Sequence, residues 1–160
     1  MANNVINNAG LVELDNAAIR DIILNGDMVE AVWCMHTIRG FTVTPFHLNI
    51  IRALCNDDPF GLILAPRGFG KTEVVNSWLC VVGLRNRNIR ILVTSRTDNQ
   101  IKSIGNNIRK TYTSEAFTRI FGDVVGDKWN ESEFSLSGRN DMIKEAAFSC
   151  YSAGNAIISK

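Results

Sequence analysis

The chain has 160 residues, which is enough for one domain with a hydrophobic core of its own. Hydrophobic residues make up 46% of the sequence and charged residues 21%, a composition that excludes collagen-like and intrinsically disordered proteins. The net charge is only +1, so bulk charge does not indicate a nucleic-acid partner, and a basic surface would have to be local.

The cysteines and the apolar runs indicate the compartment. The four cysteines stand far apart and form no Cys-x-x-Cys pair, which predicts reduced core thiols of a cytosolic protein instead of disulfides or a zinc site: Cys34, Cys55, Cys80 and Cys150. Every apolar run is shorter than about 18 residues, and the first residues carry no basic stretch. We therefore expect neither a membrane span nor a secretion signal.

The first forty residues predict a helical cap. After an Asn-rich start, apolar residues recur at helical spacing over residues 15–24 and 27–39, and the dipeptides Asn25-Gly26 and Arg39-Gly40 supply the stops. His36 is a lone imidazole, and a packed or surface histidine explains it better than a metal ligand. We expect no chemistry from this part of the chain.

A third helix is predicted from Pro45, with Thr44 as its N-cap, to about residue 56. It begins with Phe46 and His47, an aromatic residue followed by a hydrogen-bonding one. In many phosphate-loop motors such a pair holds adenine, the ring stacking on the base and the polar tip reading its edge. A core phenylalanine beside a surface histidine is an equally good interpretation of the sequence.

Residues 61–72 contain the most informative pattern. Residues 61–65 predict a short buried strand, residues 65–72 a glycine-bearing loop, and residues 73–84 a helix that is apolar on nearly every face. The loop matches the phosphate-loop pattern Gly-x-x-x-x-Gly-Lys-[Ser/Thr] except that Ala65 replaces the first glycine. A glycine-rich turn with a coincidental Lys-Thr pair is the alternative, and the strand, loop and helix context argues against it.

The residue types of the loop suit phosphate chemistry. Backbone N–H groups and the helix dipole at a helix N-terminus solvate anions. In this interpretation Gly68 and Gly70 are expected to let the backbone approach the anion, Lys71 to contact the β- and γ-phosphates, and Thr72 to ligate Mg²⁺.

The following residues predict a continued α/β order. Residues 89–94 predict a buried parallel strand joined through a right-handed crossover helix, and residues 95–98 cap a helix over about 99–111 with a shorter one ending at 121–122. The basic residues in this region predict a solvated face, with a nucleic-acid track as the alternative: Arg96, Lys102, Arg109, Lys110 and Arg119.

The last forty residues predict a small β-meander made of short runs at residues 129–136, 142–151 and 156–159. Asp123 and Asp127 lie in a stretch that reads as a loop. After Lys71 no apolar run is followed by Asp-Asp or Asp-Glu, the arrangement that places a Mg²⁺-bridging carboxylate and a water-activating base at a strand end. The catalytic half of a hydrolytic site is therefore not recognisable.

Together these features resemble the N-terminal ATPase region of a bacteriophage terminase large subunit, the motor that drives DNA into viral capsids. The resemblance covers about residues 41–160. It is carried by the helix at Pro45-Phe46-His47, the loop at residues 65–72, the strand ending at residues 94–96, and Trp129-Asn130-Glu131 leading to Gly138-Arg139. Terminases commonly lack the first loop glycine, as this chain does.

The resemblance implies an α/β fold of the ASCE or RecA-like P-loop NTPase type, with a parallel sheet, flanking helices, an N-terminal cap over residues 1–40 and a C-terminal β-meander. It implies ATP and Mg²⁺ as cofactors, Arg67 and Lys71 as catalytic residues, and Thr72 as the metal ligand. Arg67 would act on the γ-phosphate. The residues expected to bind nucleotide are Phe46, His47, Pro66, Arg67, Gly68, Phe69, Gly70, Lys71 and Thr72.

The same resemblance implies double-stranded viral DNA, a portal protein and a small terminase subunit as partners, a homo-oligomeric ring, and the host cytoplasm. In the family the acidic Walker B strand and a nuclease domain follow, so residues 41–160 are expected to be a partial ATPase domain that is poorly soluble and inactive alone. Two alternatives remain open: a catalytically incomplete nucleotide- or partner-binding module, and a fragment of a superfamily 2 helicase.

Overall fold

A computed structural model describes residues 15–56, 58 and 60–153. These residues form six helices and one four-stranded mixed sheet, so the α/β class predicted from the sequence is confirmed. The chain divides by compactness into two units, Met1–Val81 and Val82–Lys160. Among the described helices, none is long and apolar enough to cross a membrane.

The first unit begins with two helices whose ends are set by local hydrogen bonds. Helix α1 (Asn16–Asn25) is capped by the Asp15 carboxylate, and helix α2 (Met28–Ile38) by that of Asp27, which accepts from two first-turn N–H groups. Both agree with the sequence prediction within two residues. Helix α2 is buried on every side from residue 31 to residue 36, as expected for a helix inside a core.

Two further helices carry the residues of the phosphate-loop pattern. Helix α3 (Pro45–Leu54) starts with Pro45 and is capped by Thr44, as predicted. The His47 side chain accepts a hydrogen bond from the Thr44 N–H in return. Helix α4 (Lys71–Arg85) begins at the loop lysine. The prediction that α4 is buried is confirmed: its fully buried residues include Val74, Leu79, Cys80, Val81 and Leu84.

The prediction of a strand at residues 61–65 is wrong, because these residues belong to none of the described strands. The segment lies between helices α3 and α4 without regular secondary structure, and Phe60, Leu62 and Leu64 are 91%, 83% and 84% exposed. A buried parallel strand requires neighbours on both edges to bond its backbone, and none of the described strands pairs with this segment. The apolar composition of this segment was therefore not sufficient to predict a paired strand.

The second unit contains the sheet, in the order β1-β4-β3-β2. Strand β1 (Ile91–Ser95) runs parallel to β4 (Phe148–Ser152), while β3 (Glu133–Leu136) is antiparallel to both β4 and β2 (Val125–Trp129). Helices α5 (Asp98–Tyr112) and α6 (Glu115–Phe121) follow β1. Thr97 caps α5, within the stretch predicted to do so.

Several expectations for the strands of this unit require correction. Strand β1 is parallel to β4 and not, as predicted, to residues 61–65, so helix α4 is not a crossover between two parallel strands. Strand β1 is also an edge strand whose residues alternate between half-buried and exposed, so it is not a buried strand. The C-terminal strands β2, β3 and β4 form an antiparallel meander, as predicted, and β4 joins this meander to β1 in the same sheet. The run 129–136 is interrupted between β2 and β3, and Asp127 lies in strand β2 instead of a loop. Residues 156–159 lie outside the described ranges.

Aromatic side chains form the core of the second unit. The rings of Phe134 and Phe148 stack with centroids 4.6 Å apart, and Tyr112 packs edge-on against Phe148. Gly83, near the end of α4, is required here, because a Cβ atom would lie 2.7 Å from the Phe148 ring and 2.8 Å from the Tyr112 hydroxyl. The cysteines of the described residues form no disulfide, and Cys34, Cys80 and Cys150 are buried.

Candidate phosphate-binding loop

The loop before helix α4 turns through two glycines with positive φ. Gly68 has φ +81° and Gly70 has φ +70°, a region that L-residues with a Cβ atom rarely adopt. At Gly70 a Cβ atom would also lie 3.0 Å from His47 Nε2. The two glycines predicted to allow close approach of an anion are therefore the two that the backbone conformation of the loop requires.

Helix α4 starts immediately after Gly70. The Gly70 carbonyl accepts hydrogen bonds from the N–H groups of Glu73 (2.9 Å) and Val74 (3.1 Å). Because the first N–H groups of an α-helix have no intrahelical acceptor, those of Lys71 and Thr72 are available to an anion at the positive end of the dipole. Such an end binds phosphate without further adaptation.

The lysine of the pattern bends back over this loop. Lys71 Nζ donates a hydrogen bond to the Pro66 carbonyl at 3.2 Å, so the ammonium lies on the concave side formed by the backbone turn. Arg67 and Thr72 are exposed. No group of three His, Cys, Asp or Glu side chains in the described ranges is placed to hold a metal ion. A Mg²⁺ ion here would depend on Thr72 and on the oxygens of the nucleotide itself.

The structure brings Phe46 and His47 to the same loop. The Phe46 ring packs edge-on against the exposed ring of Phe69, with centroids 5.2 Å apart. His47 Nε2 lies 3.1 Å from the Phe69 carbonyl oxygen, and Nδ1 lies 3.2 Å from that of Thr42 and 3.3 Å from the Thr44 N–H. Both ring nitrogens of His47 are thus within hydrogen-bond distance of backbone groups.

Sequence reasoning missed a buried ion pair beside the loop. Arg39 Nη2 donates to Glu73 Oε2 at 2.6 Å, and its Nη1 donates to the Glu73 carbonyl at 2.6 Å and to Ser77 Oγ at 2.8 Å. The Arg39 side chain is only 6% exposed. In the sequence Arg39 stands before a glycine and reads as the end of a helix, so no local signal reveals its partner on α4.

His36 completes this buried region. Its Nδ1 atom lies 2.9 Å from Ser77 Oγ, and its ring stacks on Phe41 with centroids 5.0 Å apart. Burial, and after it the charges of Arg39 and His47, lower the pKa of His36 to about 4. The histidine is therefore neutral at pH 7 and acts as a packed, hydrogen-bonded core residue, as the sequence indicated.

The basic residues of the second unit mostly have protein partners. Lys102 pairs with Glu131 at 3.2 Å and Arg119 with Glu115 at 2.8 Å, while Arg109 donates to the Asn106 side chain at 3.1 Å. Such pairing is typical of a solvated face. The unit also contains a cavity of about 450 Å³, whose lining includes Lys128, Arg139 and Lys144 as well as Asp127, Asp141 and Glu145. Cations and carboxylates are balanced there, so its charges favour no particular ligand.

Comparisons of the chain with protein-family models, with curated proteins and with solved structures found no significant match. The candidate site therefore depends on the sequence pattern and on the geometry of this loop. The features that agree with a phosphate-binding function are the two positive-φ glycines, the helix start at Lys71 and the position of the Lys71 ammonium.

Proposed function

We propose that the chain binds a Mg²⁺-nucleoside triphosphate, specifically Mg²⁺-ATP, through residues 66–72. The observation that carries the proposal is the direct passage from the Gly68 and Gly70 turns into the N-terminus of a helix of 15 residues, with the Lys71 ammonium folded over the turn. This arrangement concentrates backbone N–H groups, a helix dipole and a positive charge on one small surface.

Each residue of the loop then has a physical role. Lys71 leaves the Pro66 carbonyl and pairs with phosphate oxygens, a charge-assisted exchange that strengthens its hydrogen bond. The Thr72 hydroxyl supplies one ligand to the Mg²⁺ ion that accompanies the nucleotide. The metal neutralises phosphate charge when bound. Arg67, exposed at the beginning of the turn, would meet charge that develops on the γ-phosphoryl oxygens.

At the level of the whole protein, we propose a motor of the terminase large-subunit type, in which ATP turnover drives double-stranded viral DNA. The support is the resemblance carried by residues 45–47, 65–72, 94–96 and 129–139, together with the α/β architecture. A portal protein, a small terminase subunit and a homo-oligomeric ring in the host cytoplasm belong to the same proposal.

A nucleotide-binding module without turnover is the second candidate. One observation favours it: the Glu73 carboxylate, the acidic group nearest in sequence to Lys71, is held by Arg39 at 2.6 Å. A carboxylate held in such an ion pair is not free to orient water. Its exclusion from catalysis leaves phosphate binding as the chemistry that the loop itself can perform.

The deciding experiment measures nucleotide binding by the purified chain and by Lys71→Ala, with a fluorescent ATP analogue in the presence of Mg²⁺. We expect Lys71→Ala to weaken binding at least about tenfold, since it removes a charge-assisted hydrogen bond. Lys110→Ala is the matched control, because it removes an exposed lysine of helix α5. Equal affinity for the chain and for Lys71→Ala would refute the phosphate-loop assignment.

A further inference from the structure

Five side chains form a connected group under the loop, which we call the bracing cluster: His36, Arg39, His47, Glu73 and Ser77. They come from helices α2, α3 and α4 of the first unit. His36 and Ser77 are fully buried, and the Arg39 side chain is nearly so. The cluster contacts the loop at two points, which lie on either side of Gly70.

The first point is the opening turn of helix α4. Arg39 makes three hydrogen bonds with it, to the Glu73 carboxylate, the Glu73 carbonyl and the Ser77 hydroxyl, at 2.6 to 2.8 Å. Hydrogen bonds of a charged guanidinium in a buried position are strong and directional. The rotation and position of the first turn of α4 are therefore fixed by helix α2.

The second point is the Phe69 carbonyl, immediately before Gly70. His47 Nε2 lies 3.1 Å from this oxygen. The other ring nitrogen, Nδ1, lies at the N-cap of helix α3, 3.3 Å from the Thr44 N–H and 3.2 Å from the Thr42 carbonyl oxygen. A neutral ring that accepts from Thr44 at Nδ1 carries its proton on Nε2 and donates it to Phe69. This links the start of α3 to the loop.

His36 joins the two points. Its ring lies edge-on to that of His47, with centroids 5.5 Å apart, and its Nδ1 atom lies 2.9 Å from Ser77 Oγ. The loop backbone between Phe69 and Glu73 is therefore held at both ends by one connected group of side chains, of which His36 and Ser77 are buried. Within that interval lie Gly70, Lys71 and Thr72, the residues of the pattern that face the anion.

We propose that Arg39 and His47 are positioning residues of the nucleotide site, which hold the loop in its anion-binding conformation before the nucleotide arrives. The proposal rests on the proposed phosphate-binding function of residues 66–72. A loop that is already ordered loses less conformational entropy when it binds, and this raises affinity without any new contact to the ligand.

The same geometry changes the role of His47. While its nitrogens contact the Phe69 carbonyl and the helix α3 cap, neither is free to read the edge of a base. The ring of Phe46, half-buried beside Phe69, remains available for stacking on a base. His47 thus acts on the phosphates through the loop, as a positioning residue and not as a direct nucleotide contact.

Two substitutions separate the loop contact from the cap contact. A glutamine amide reaches the position of Nε2, so His47→Gln keeps a hydrogen-bond donor for the Phe69 carbonyl. An asparagine amide reaches only the position of Nδ1, so His47→Asn keeps the contact with the helix cap and loses the contact with the loop. We expect His47→Asn to weaken binding of Mg²⁺-ADP roughly three- to tenfold, the range for one lost hydrogen bond, and His47→Gln to bind like the unmodified chain.

A second pair of substitutions tests the contact at the other end of the loop, between Arg39 and helix α4. Arg39→Lys keeps the charge but lacks the fork that reaches both Glu73 and Ser77, and we expect it to weaken Mg²⁺-ADP binding to a similar extent. Arg52→Lys, at an exposed position of helix α3, is the control. The midpoint of urea unfolding is measured for all four variants, so that a general loss of stability is distinguished from a local effect on the loop.

A readout without nucleotide keeps the two proposals distinguishable. Amide hydrogen exchange of Gly70, Lys71 and Thr72 reports loop order directly. We expect exchange on the order of tenfold faster in His47→Asn than in His47→Gln at equal global stability. Equal exchange and equal affinity in these two variants would overturn the bracing role. Absence of Lys71-dependent binding in the unmodified chain would instead overturn the phosphate-binding function, and the exchange comparison alone then decides whether the cluster orders the loop.

Discussion

Single residues of the loop are fixed by backbone conformation and by contact. Gly70 shows both constraints, since its φ is +70° and a Cβ atom would lie 3.0 Å from His47 Nε2. Gly61, nine residues earlier in the sequence, has no such steric constraint, because no atom lies within 4 Å of a Cβ atom placed there. Substitution of each glycine by alanine therefore compares the same chemical change at a position that requires glycine and at one that does not.

We expect Gly70→Ala to destabilise the chain by about 1–3 kcal/mol, the usual cost of a non-glycine residue in a left-handed conformation, and to weaken Lys71-dependent nucleotide binding. Gly61→Ala should leave both within error. Urea unfolding and binding of the fluorescent ATP analogue measure the two effects. A Gly70→Ala chain as stable as Gly61→Ala would show that the loop adopts another conformation in solution.

His36 gives a prediction for pH. Burial, then the charges of Arg39 and His47, lower its pKa from 6.5 to about 4, so the unfolded chain binds the proton more tightly. The stability that depends on neutral His36 is therefore complete above about pH 6.5 and is lost as the pH falls toward 4, by an amount on the order of 3 kcal/mol. Urea unfolding from pH 7.5 to pH 4.5 should show this loss in the unmodified chain and a flatter dependence in His36→Gln. Parallel curves would contradict it.

Elements differ in how much they depend on distant parts of the chain. The helices of the first unit form where their caps and apolar spacing predict, because helix hydrogen bonds and Asp or Thr caps are local. The segment of residues 61–65 has a strand-like sequence and no strand partner among the described residues. Three large apolar side chains in or next to this segment are exposed as a result: Phe60, Leu62 and Leu64.

This exposure leads to a prediction on packing. Leu62→Ala should change the free energy of unfolding by less than about 0.5 kcal/mol, as substitutions at exposed positions do. Leu79→Ala, at a position of helix α4 that is 6% exposed, should cost about 2–5 kcal/mol. Urea unfolding compares the two. A loss of several kcal/mol in Leu62→Ala would mean that residues 61–65 are buried in solution, as the sequence pattern predicts.

At the scale of the whole chain, phosphate binding and turnover have different requirements. Loop amides and a lysine suffice to hold phosphate, whereas phosphoryl transfer also needs a metal-bridging carboxylate and a group that orients water. After Lys71 the sequence contains no apolar run followed by Asp-Asp or Asp-Glu, and the Glu73 carboxylate is bound by Arg39.

We therefore expect the purified chain to bind Mg²⁺-ATP without releasing phosphate at a useful rate. Phosphate release is measured for the chain and for Lys71→Ala, and the two rates should coincide. Release that disappears in Lys71→Ala would contradict this prediction and would point to a catalytic carboxylate on the chain. Glu73→Gln and Asp98→Asn, which remove the acidic groups in the first turns of helices α4 and α5, would then identify it.

The sequence by itself determined the local features of this protein: four helix starts in the first unit, the loop that opens α4 at Lys71, and the glycines at Gly68 and Gly70. These depend on caps, proline, glycine and apolar spacing, which act over a few residues. The α/β class followed from the same signals.

Only the tertiary structure decided which strands pair, that β1 lies at an edge, and that residues 61–65 form no strand and expose Leu62 and Leu64. A strand obtains its hydrogen bonds from a neighbour that can lie anywhere in the sequence, so composition does not predict its partner. The bracing of the loop belongs to the same category, because Arg39 and Glu73 stand 34 residues apart in the sequence and meet only when helices α2 and α4 pack.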